Sequence, residues 1–221
     1  MQVRKYIPNT LTLCNLLAGC AGVVFAVRGN FSAVLVCLML SELFDFSDGF
    51  SARKLKAYSD IGKELDSLAD LVSFGLAPAM VLYNMMLGHG AGHWALVALL
   101  LPVFGALRLA RFNVDTNQTT TFTGLPIPAN AIFWIGFTAW YAIHEMPLWI
   151  VLLLIVILSL LMVCNLRMFS LKMHSLSSLK QNWAQYLQVV ATVAFVLLMG
   201  LPGLAAAISL YVLLSIIKRE K

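Results

Sequence analysis

Long apolar runs separated by short polar segments make up most of the chain. Runs of about 17 to 25 apolar residues are long enough to cross the hydrocarbon core of a bilayer as helices. No polar stretch between the runs is long enough to form a separate soluble domain. The pattern therefore predicts an all-α integral membrane protein with a single domain over residues 1–221. The eight predicted transmembrane helices lie at about 10–27, 31–50, 62–87, 92–112, 127–143, 147–165, 183–200 and 203–217.

The composition agrees with this pattern and argues against a soluble protein. Hydrophobic residues make up 61% of the chain and charged residues only 11%, and the mean hydropathy is +0.87. A soluble domain of this length has too little interior to hide so much apolar surface. The four cysteines all fall within predicted helices, and their spacing suits neither a zinc site nor a disulfide framework. We expect them to be small buried side chains.

The basic residues predict the orientation of the bundle. Eight spans place both termini on one side of the membrane, and 14 of the 15 Lys and Arg residues fall on that side, Arg28 being the exception. Because positively charged loops stay in the cytoplasm, we expect both termini to be cytoplasmic. The basic surface that results suits anionic lipid headgroups, and we expect no nucleic-acid partner.

One polar stretch, residues 45–70, breaks the apolar pattern. It holds six of the ten acidic residues within the sequence DFSDGFSARKLKAYSDIGKELDSLAD. The stretch joins the second and third predicted helices through a polar turn centred near Ala57. Counting outward from that turn, Asp48 and Asp66 are each nine residues away, whereas Asp45 and Asp70 are twelve and thirteen residues away. With a rise of about 1.5 Å per residue, each pair is expected at a matching depth on adjacent antiparallel helices.

The spacing within each helix brings these carboxylates onto one face. Asp45 and Asp48 are separated by three residues and Asp66 and Asp70 by four, and both spacings place two side chains on the same side of a helix. Four uncompensated negative charges in one small volume at the membrane boundary would repel strongly. Divalent cations relieve that repulsion, and oxygen ligands favour Mg²⁺ or Mn²⁺ over zinc. The alternative is a set of ordinary solvated charges at helix ends, which leaves the matched depth unexplained.

Residues beside the carboxylates are suited to a phosphate group. Gly49 and Ala52 are small and let a ligand approach the backbone closely. Arg53 carries a fixed positive charge with forked donors that match phosphate oxygens. Metals, a small residue and an arginine together predict a diphosphate pocket.

These residues resemble the signature of the CDP-alcohol phosphotransferases. The matching pattern is Asp45-x2-Asp48-Gly49-x2-Ala52-Arg53-x8-Gly62-x3-Asp66-x3-Asp70, with every fixed position present. The flanking segments IPNTLTLCNLLAG, RLARFNVDTNQTTTFTGLPIPANA and RMFSLK resemble the bacterial and archaeal branch of the family that makes phosphatidylserine. We expect the first helix to be retained, because cleavage as a signal peptide would remove its Pro8-Asn9-Thr10-Leu11-Thr12 element.

The resemblance implies a reaction and a set of roles. It implies transfer of the phosphatidyl group from CDP-diacylglycerol to L-serine, with CMP as the other product, at the cytoplasmic face of a prokaryotic plasma membrane. It also implies two divalent cations, Mg²⁺ or Mn²⁺, with Asp70 touching the second cation and acting as the general base. Membrane lipids and a second copy of the chain in a homodimer are the other implied partners. The implied metal ligands are Asp45, Asp48, Asp66 and Asp70, and the implied CDP and diphosphate contacts are Asn9, Thr12, Gly49, Arg53 and Ser59.

The acceptor site is less sharply predicted. Arg108 and Arg111 end the fourth predicted helix, where they either bind the acceptor's carboxylate or a lipid phosphate, or extend to the interface as ordinary end charges. Asn113 and Asn130 are further candidates for contact with the acceptor. A phosphorylated acceptor such as glycerol 3-phosphate or an inositol phosphate stays open as an alternative to serine.

A cation transporter is a more distant alternative. Transporters usually carry repeats, broken helices and charges near the bilayer midplane. Here the acidic residues gather on one hairpin at the membrane edge, beside glycine and arginine, and the sequence shows no repeat. The pattern therefore favours an enzyme.

Overall fold

A computed structural model describes residues 3–114, 122–169 and 182–218. The chain divides into two compact units, Met1–Val114 and Asp115–Lys221, which are described separately below. The prediction of one domain over the whole chain stays a prediction.

All regular elements of the first unit are helical over its described residues. Helices α2 and α3 form the hairpin predicted around Ala57, and α3 continues through a π-helical turn directly into α4. The elements are α1 Val3–Val27, α2 Phe31–Leu55, α3 Asp60–Asp70, the π turn Leu71–Leu76, α4 Ala77–Gly88, a 3-10 segment Gly92–Leu99 and α5 Leu100–Val114.

Local signals in the sequence explain where the hairpin turns. Lys56 ends α2 in the left-handed conformation, with φ of 50°, and its main-chain N–H donates to carbonyls of the last turn. Ser59 then starts α3, because its hydroxyl accepts a hydrogen bond of 3.0 Å from the Gly62 N–H. The turn between α2 and α3 is therefore only a few residues long, and α1 contacts both helices.

Helix α1 packs along the neighbouring helices of this unit, and small residues permit the close contact. It contacts α2, α3, the π turn and α4. A Cβ at Gly19 would lie 2.8 Å from the Ser73 Cα, and a Cβ at Gly22 would lie 3.4 Å from the Cys37 Cβ. Small residues on α1 therefore let it pack closely against the π turn and α2.

The second unit combines four helices with one short pair of strands among its described residues. The two strands are each two residues long and pair antiparallel, with Phe122 opposite Met168. The apolar pattern of the sequence did not predict strands this short. Helix α9 packs against both α6 and α8, where Gly136 and Gly203 permit close approach of the backbones. The elements are β1 Phe122–Thr123, α6 Ile127–Tyr141, α7 Leu148–Val163, β2 Arg167–Met168, α8 Trp183–Met199 and α9 Pro202–Ile217.

Helices occupy all eight predicted positions. Helix α1 begins well before residue 10, because the helical backbone extends into polar residues that lie beyond an apolar run. Within the described residues, three helical stretches are long and apolar enough to cross a membrane, namely Tyr6–Val27, Asp60–Gly88 and Gly92–Val114. Three shorter apolar helices follow, Leu148–Val163, Trp183–Met199 and Pro202–Ile217. An all-helical membrane protein is thus supported, whereas the count of eight spans and the cytoplasmic termini stay predictions.

Candidate active site

Three carboxyl groups meet, two from α2 and one from α3. One oxygen from each of Asp45, Asp48 and Asp66 lies within 4.8 Å of the others. Asp48 is buried, with 6% of its surface exposed, whereas Asp45 and Asp66 are half-buried. The convergence predicted from matched depth is therefore confirmed for these three residues.

Asp70, the fourth predicted carboxylate, borders this cluster one turn further along α3. Its carboxyl group interacts with that of Asp45. Its Oδ1 atom accepts a hydrogen bond of 3.4 Å from the side-chain amide of Asn15 on α1. Asp70 is also the last residue of α3 before the π turn, so it lies at a change in helical geometry.

Helix α1 supplies a hydroxyl group to the cluster. The Thr12 Oγ1 donates to Asp48 Oδ2 at 2.5 Å and lies 3.1 Å from the Pro8 carbonyl. Thr12 is buried, so this hydrogen bond offsets part of the cost of burying the Asp48 charge. The segment around Pro8 thus contacts the signature helices directly.

A cavity of about 190 Å³ opens beside the carboxylates. Its lining combines one end of α1, the second half of α2 and the first turns of α3. Asp48 and Asp66 both face this space, so a ligand in it would contact the carboxylate cluster. The lining residues are Pro8, Asn9, Thr12, Asp48, Gly49, Ala52, Ala57, Tyr58, Ser59, Gly62, Lys63 and Asp66.

Four of the five residues that the resemblance assigns to CDP line this cavity. They include Asn9 and Ser59, whose side-chain oxygens would both lie 2.9 Å from a Cβ at Gly62. Glycine at position 62 is therefore what leaves these two polar groups room to face the cavity. Arg53 is exposed, and its Nη1 would lie 3.5 Å from a Cβ at Gly49, so its guanidinium lies beside the cavity.

Asn113 joins the end of α5 to α3. Its Nδ2 donates to Ser67 Oγ at 2.9 Å and to Glu64 Oε2 at 3.2 Å, and its carbonyl accepts from Lys63 Nζ at 2.7 Å. Its side-chain oxygen Oδ1 is buried and has no hydrogen-bond partner among the described residues. The Asn113 side chain therefore contacts Ser67, the residue that follows Asp66 on α3. It also carries a buried acceptor atom, Oδ1.

The other acceptor candidates have different surroundings. Arg108 is half-buried and Arg111 is exposed on α5. Asn130 lies in the second unit, on α6, where it is buried and its Oδ1 accepts a hydrogen bond of 3.1 Å from Trp134 Nε1. The role of all three in binding an acceptor stays a prediction.

Sequence reasoning missed two polar residues that are linked by hydrogen bonds to Asp70. Asn15 donates to Asp70, and Ser73 Oγ donates to Asn15 Oδ1 at 2.7 Å. Both are completely buried. The available signal was a polar side chain inside each of two apolar helices, since such residues seek hydrogen-bond partners on neighbouring helices.

The donor set fits a hard divalent cation. All three converging ligands are carboxylates, which Mg²⁺ and Mn²⁺ favour over thiolate or imidazole. Two oxygens on opposite sides of one Mg²⁺ lie about 4 Å apart, and the carboxylate oxygens of this cluster all lie within 4.8 Å of one another. A cation would also relieve the repulsion between buried carboxylates.

The chain matches the model of the CDP-alcohol phosphatidyltransferase family over residues 5–143. It is 40% identical over 124 residues to the CDP-diacylglycerol–serine O-phosphatidyltransferase of Bacillus subtilis, covering 56% of this chain and 70% of that protein. It is 31% identical over 218 residues to the Helicobacter pylori strain 26695 protein of that name, covering 96% and 90% of the two chains.

An archaeal relative is similar as well. The archaetidylserine synthase of Methanothermobacter thermautotrophicus is 38% identical over 128 residues, with 57% of this chain and 54% of that protein covered. The chain thus spans about half the length of this archaeal protein. The family match includes every residue of the carboxylate cluster and its cavity. The chain therefore belongs to the CDP-alcohol phosphatidyltransferase family.

Proposed function

We propose that the protein transfers the phosphatidyl group from CDP-diacylglycerol to L-serine, giving phosphatidylserine and CMP. The observation that carries this proposal is the convergence of Asp45, Asp48 and Asp66 beside a cavity lined by Asn9, Thr12 and further residues of the signature. Bacterial relatives named for this reaction support serine as the acceptor.

The cavity is suited to the nucleotide end of the donor lipid. Asn9 and Ser59 offer side-chain hydrogen-bonding groups, and Gly49 lets a phosphate group approach the backbone of α2. Arg53, beside the cavity, contributes a positive charge for the diphosphate. Exposed apolar side chains on α1 and α2, such as Leu17 and Phe46, are suited to contact with lipid chains.

Asp70 is the base in the proposed reaction. It takes the proton of the serine hydroxyl while the hydroxyl oxygen forms a bond to the phosphorus that carries diacylglycerol. The bond from that phosphorus to the bridging oxygen breaks, and CMP leaves with the electron pair. The position of Asp70 beside Asp45 supports this role, because the base then lies next to the groups that hold the diphosphate.

The carboxylates are also the proposed ligands of two divalent cations, Mg²⁺ or Mn²⁺. Asp45, Asp48 and Asp66 would hold them, and Asp70 would touch the second. When bound, the cations neutralise the charge of the diphosphate and stabilise the CMP leaving group.

The acceptor contacts are proposed from charge and hydrogen-bonding capacity. The buried Oδ1 of Asn113 suits the ammonium group of serine, because it is an acceptor that has no partner among the described residues. Arg108 and Arg111 suit the carboxylate of serine. Asn130 is a further proposed contact, on the second unit.

The setting of the enzyme is proposed from the distribution of charge. We infer eight transmembrane helices in one domain, cytoplasmic termini, and an active site that faces the cytoplasm of a prokaryotic plasma membrane. The positive-inside distribution of Lys and Arg supports this orientation. We also propose that two copies of the chain form a homodimer.

Another acceptor within the family is the second candidate. Arg108 and Arg111 would also suit the phosphate of glycerol 3-phosphate or an inositol phosphate. A cation transporter is the most distant candidate, and the cavity beside the carboxylates, lined by Asn9, Ser59 and Gly49, favours an enzyme over it.

The test is an acceptor panel with purified protein. The protein is incubated with CDP-diacylglycerol and Mn²⁺ or Mg²⁺, and CMP release is measured separately with serine, glycerol 3-phosphate and inositol phosphate. We expect release with serine. Release with a phosphorylated acceptor and none with serine would reject the serine assignment.

A substitution tests the role of the base. Asp70→Asn should abolish CMP release while leaving binding of CDP-diacylglycerol and metal largely intact, because the amide keeps the shape of the side chain but does not accept the proton. Unchanged turnover would reject the assignment of Asp70 as the base.

A further inference from the structure

The side chain of Asn15 links α1 to the proposed base. Asn15 is completely buried in the middle of an apolar helix. Its amide Nδ2 donates to Asp70 Oδ1 at 3.4 Å, and its Oδ1 accepts from Ser73 Oγ at 2.7 Å. One amide group thus lies between the last residue of α3 and a hydroxyl in the π turn that follows it.

The chemistry of the partners fixes which way the amide points. An ionised carboxylate only accepts hydrogen bonds, so the Asn15 atom that faces Asp70 must be the nitrogen. The Ser73 hydroxyl donates toward the opposite end, where it also lies 3.1 Å from the Asn15 main-chain carbonyl. Ser73 therefore holds the amide in the orientation that presents N–H to Asp70.

The surrounding backbone makes this arrangement rigid. Ser73 lies three residues after Asp70 within the π turn Leu71–Leu76 and is completely buried. A Cβ at Gly19 would clash with Ser73 Oγ and would lie 2.8 Å from Ser73 Cα. Only a glycine at this position lets α1 approach the π turn closely enough for the Asn15–Ser73 hydrogen bond.

We propose that Asn15, held by Ser73, is a positioning residue that fixes the carboxylate of Asp70 for proton transfer. This inference rests on the proposed function. The amide engages Oδ1 and so restricts the rotation of the carboxylate. A displacement of about 1 Å at such a group costs about a hundredfold in rate.

Serine 41 offers a matched control on the other side of Asn15. It is as buried as Ser73, and its hydroxyl donates at 3.3 Å to the main-chain carbonyl of Asn15 alone. Ser41→Ala and Ser73→Ala therefore each remove one buried hydroxyl that bonds to the same residue. Only Ser73→Ala frees the Asn15 side chain.

The kinetic test compares Asn15→Ala, Ser73→Ala and Ser41→Ala with the unchanged protein. CMP release is measured while serine and CDP-diacylglycerol are varied in turn. Asn15→Ala and Ser73→Ala should lower kcat by about ten- to a hundredfold, with KM for CDP-diacylglycerol changed less than about threefold. Ser41→Ala should keep kcat within about twofold.

A thermal double-mutant cycle tests the contact without relying on turnover. The Tm of purified protein in detergent is measured for Asn15→Ala, Asp70→Asn and the double variant. Asn15→Ala should lower the Tm of the otherwise unchanged protein. In the Asp70→Asn variant the same substitution should lower Tm by less than half as much, because the effects of substitutions at contacting residues are not additive.

The outcomes separate this inference from the proposed function. If the unchanged protein releases no CMP with serine, the proposed reaction fails, and the thermal cycle still reports whether Asn15 and Asp70 are coupled. If the unchanged protein is active and Asn15→Ala and Ser73→Ala match Ser41→Ala in kcat, the positioning role is rejected. Equal Tm shifts in both backgrounds also reject it, since the effect of Asn15 would then be independent of Asp70.

Discussion

The Thr12 hydroxyl donates a hydrogen bond of 2.5 Å to the Asp48 carboxylate, although the two residues lie 36 positions apart in the chain. The contact joins α1 to the carboxylate cluster of α2 and α3. It explains why a segment of the first helix belongs with a signature that begins at Asp45: one of its side chains supports a carboxylate directly.

Replacing Thr12 should therefore weaken catalysis. Thr12→Val keeps the shape of the side chain but removes the donor to Asp48, and loss of a hydrogen bond to a charged group costs about 1.5 to 3 kcal/mol. We expect kcat/KM for CDP-diacylglycerol to fall by about ten- to a hundredfold. Thr12→Ser keeps the donor and should retain most activity; equal losses in both variants would show that the hydroxyl is not what matters.

Metal binding should depend on the cluster and not on acidic charge in general. Asp66→Asn removes one of the three converging carboxylates, so Mn²⁺ affinity measured by electron paramagnetic resonance should fall by tenfold or more, about 1.4 kcal/mol. Chelation with EDTA should abolish CMP release, and added Mn²⁺ or Mg²⁺ should restore it.

The control for this prediction is the exposed Asp60 in the first turn of α3. Asp60→Asn changes the net charge by the same amount on the same helix. It should leave Mn²⁺ affinity within about twofold, because exposed single charges contribute little. A comparable loss in Asp60→Asn would indicate a general electrostatic effect rather than a metal site.

The close approach of α1 to the π turn should be measurable as stability. In Gly19→Ala, the new Cβ lies 2.8 Å from a main-chain atom of Ser73, so rotation of the serine side chain cannot relieve the clash. Overpacking of this kind costs about 1 to 3 kcal/mol, and Tm should fall by about 5 °C. Gly88→Ala, at the end of α4 where a Cβ would meet nothing within 4 Å, should not lower Tm. Similar values for the two variants would contradict the close packing.

The Asn113 oxygen that has no partner among the described residues should affect binding of the acceptor more than binding of the donor. Asn113→Leu removes Oδ1, and we expect KM for serine to rise by about tenfold or more with KM for CDP-diacylglycerol unchanged. Ser67→Ala removes a partner of Asn113 Nδ2 but leaves Oδ1 in place, so it should keep KM for serine. If the two variants raise KM for serine equally, Asn113 acts by bracing α5 against α3.

Sequence patterns predicted the helices and the carboxylate cluster because both follow from local spacing. Asp48 and Asp66 are equally distant from Ala57 and their carboxylates converge, because a short turn places corresponding positions of two consecutive helices at the same depth. The contact between Asn15 and Asp70 spans 55 residues, and no spacing rule relates positions on helices that are not consecutive. The strands at Phe122 and Arg167 are too short to produce an alternating pattern.

The π turn could not be predicted from the periodicity of the apolar residues either, because a single wider turn changes the phase of the apolar pattern without interrupting it. That turn holds one residue more than an α-helical path of the same shape, so α4 is rotated by about 100° relative to a continuous α-helix. As a result, both the acidic side of α3 and the small-residue side of α4 contact α1. Deleting one residue between Leu71 and Leu76 would barely shorten the continuous α3–α4 helix, yet it would rotate α4 away from α1. We therefore expect this segment to tolerate substitutions far better than insertions or deletions.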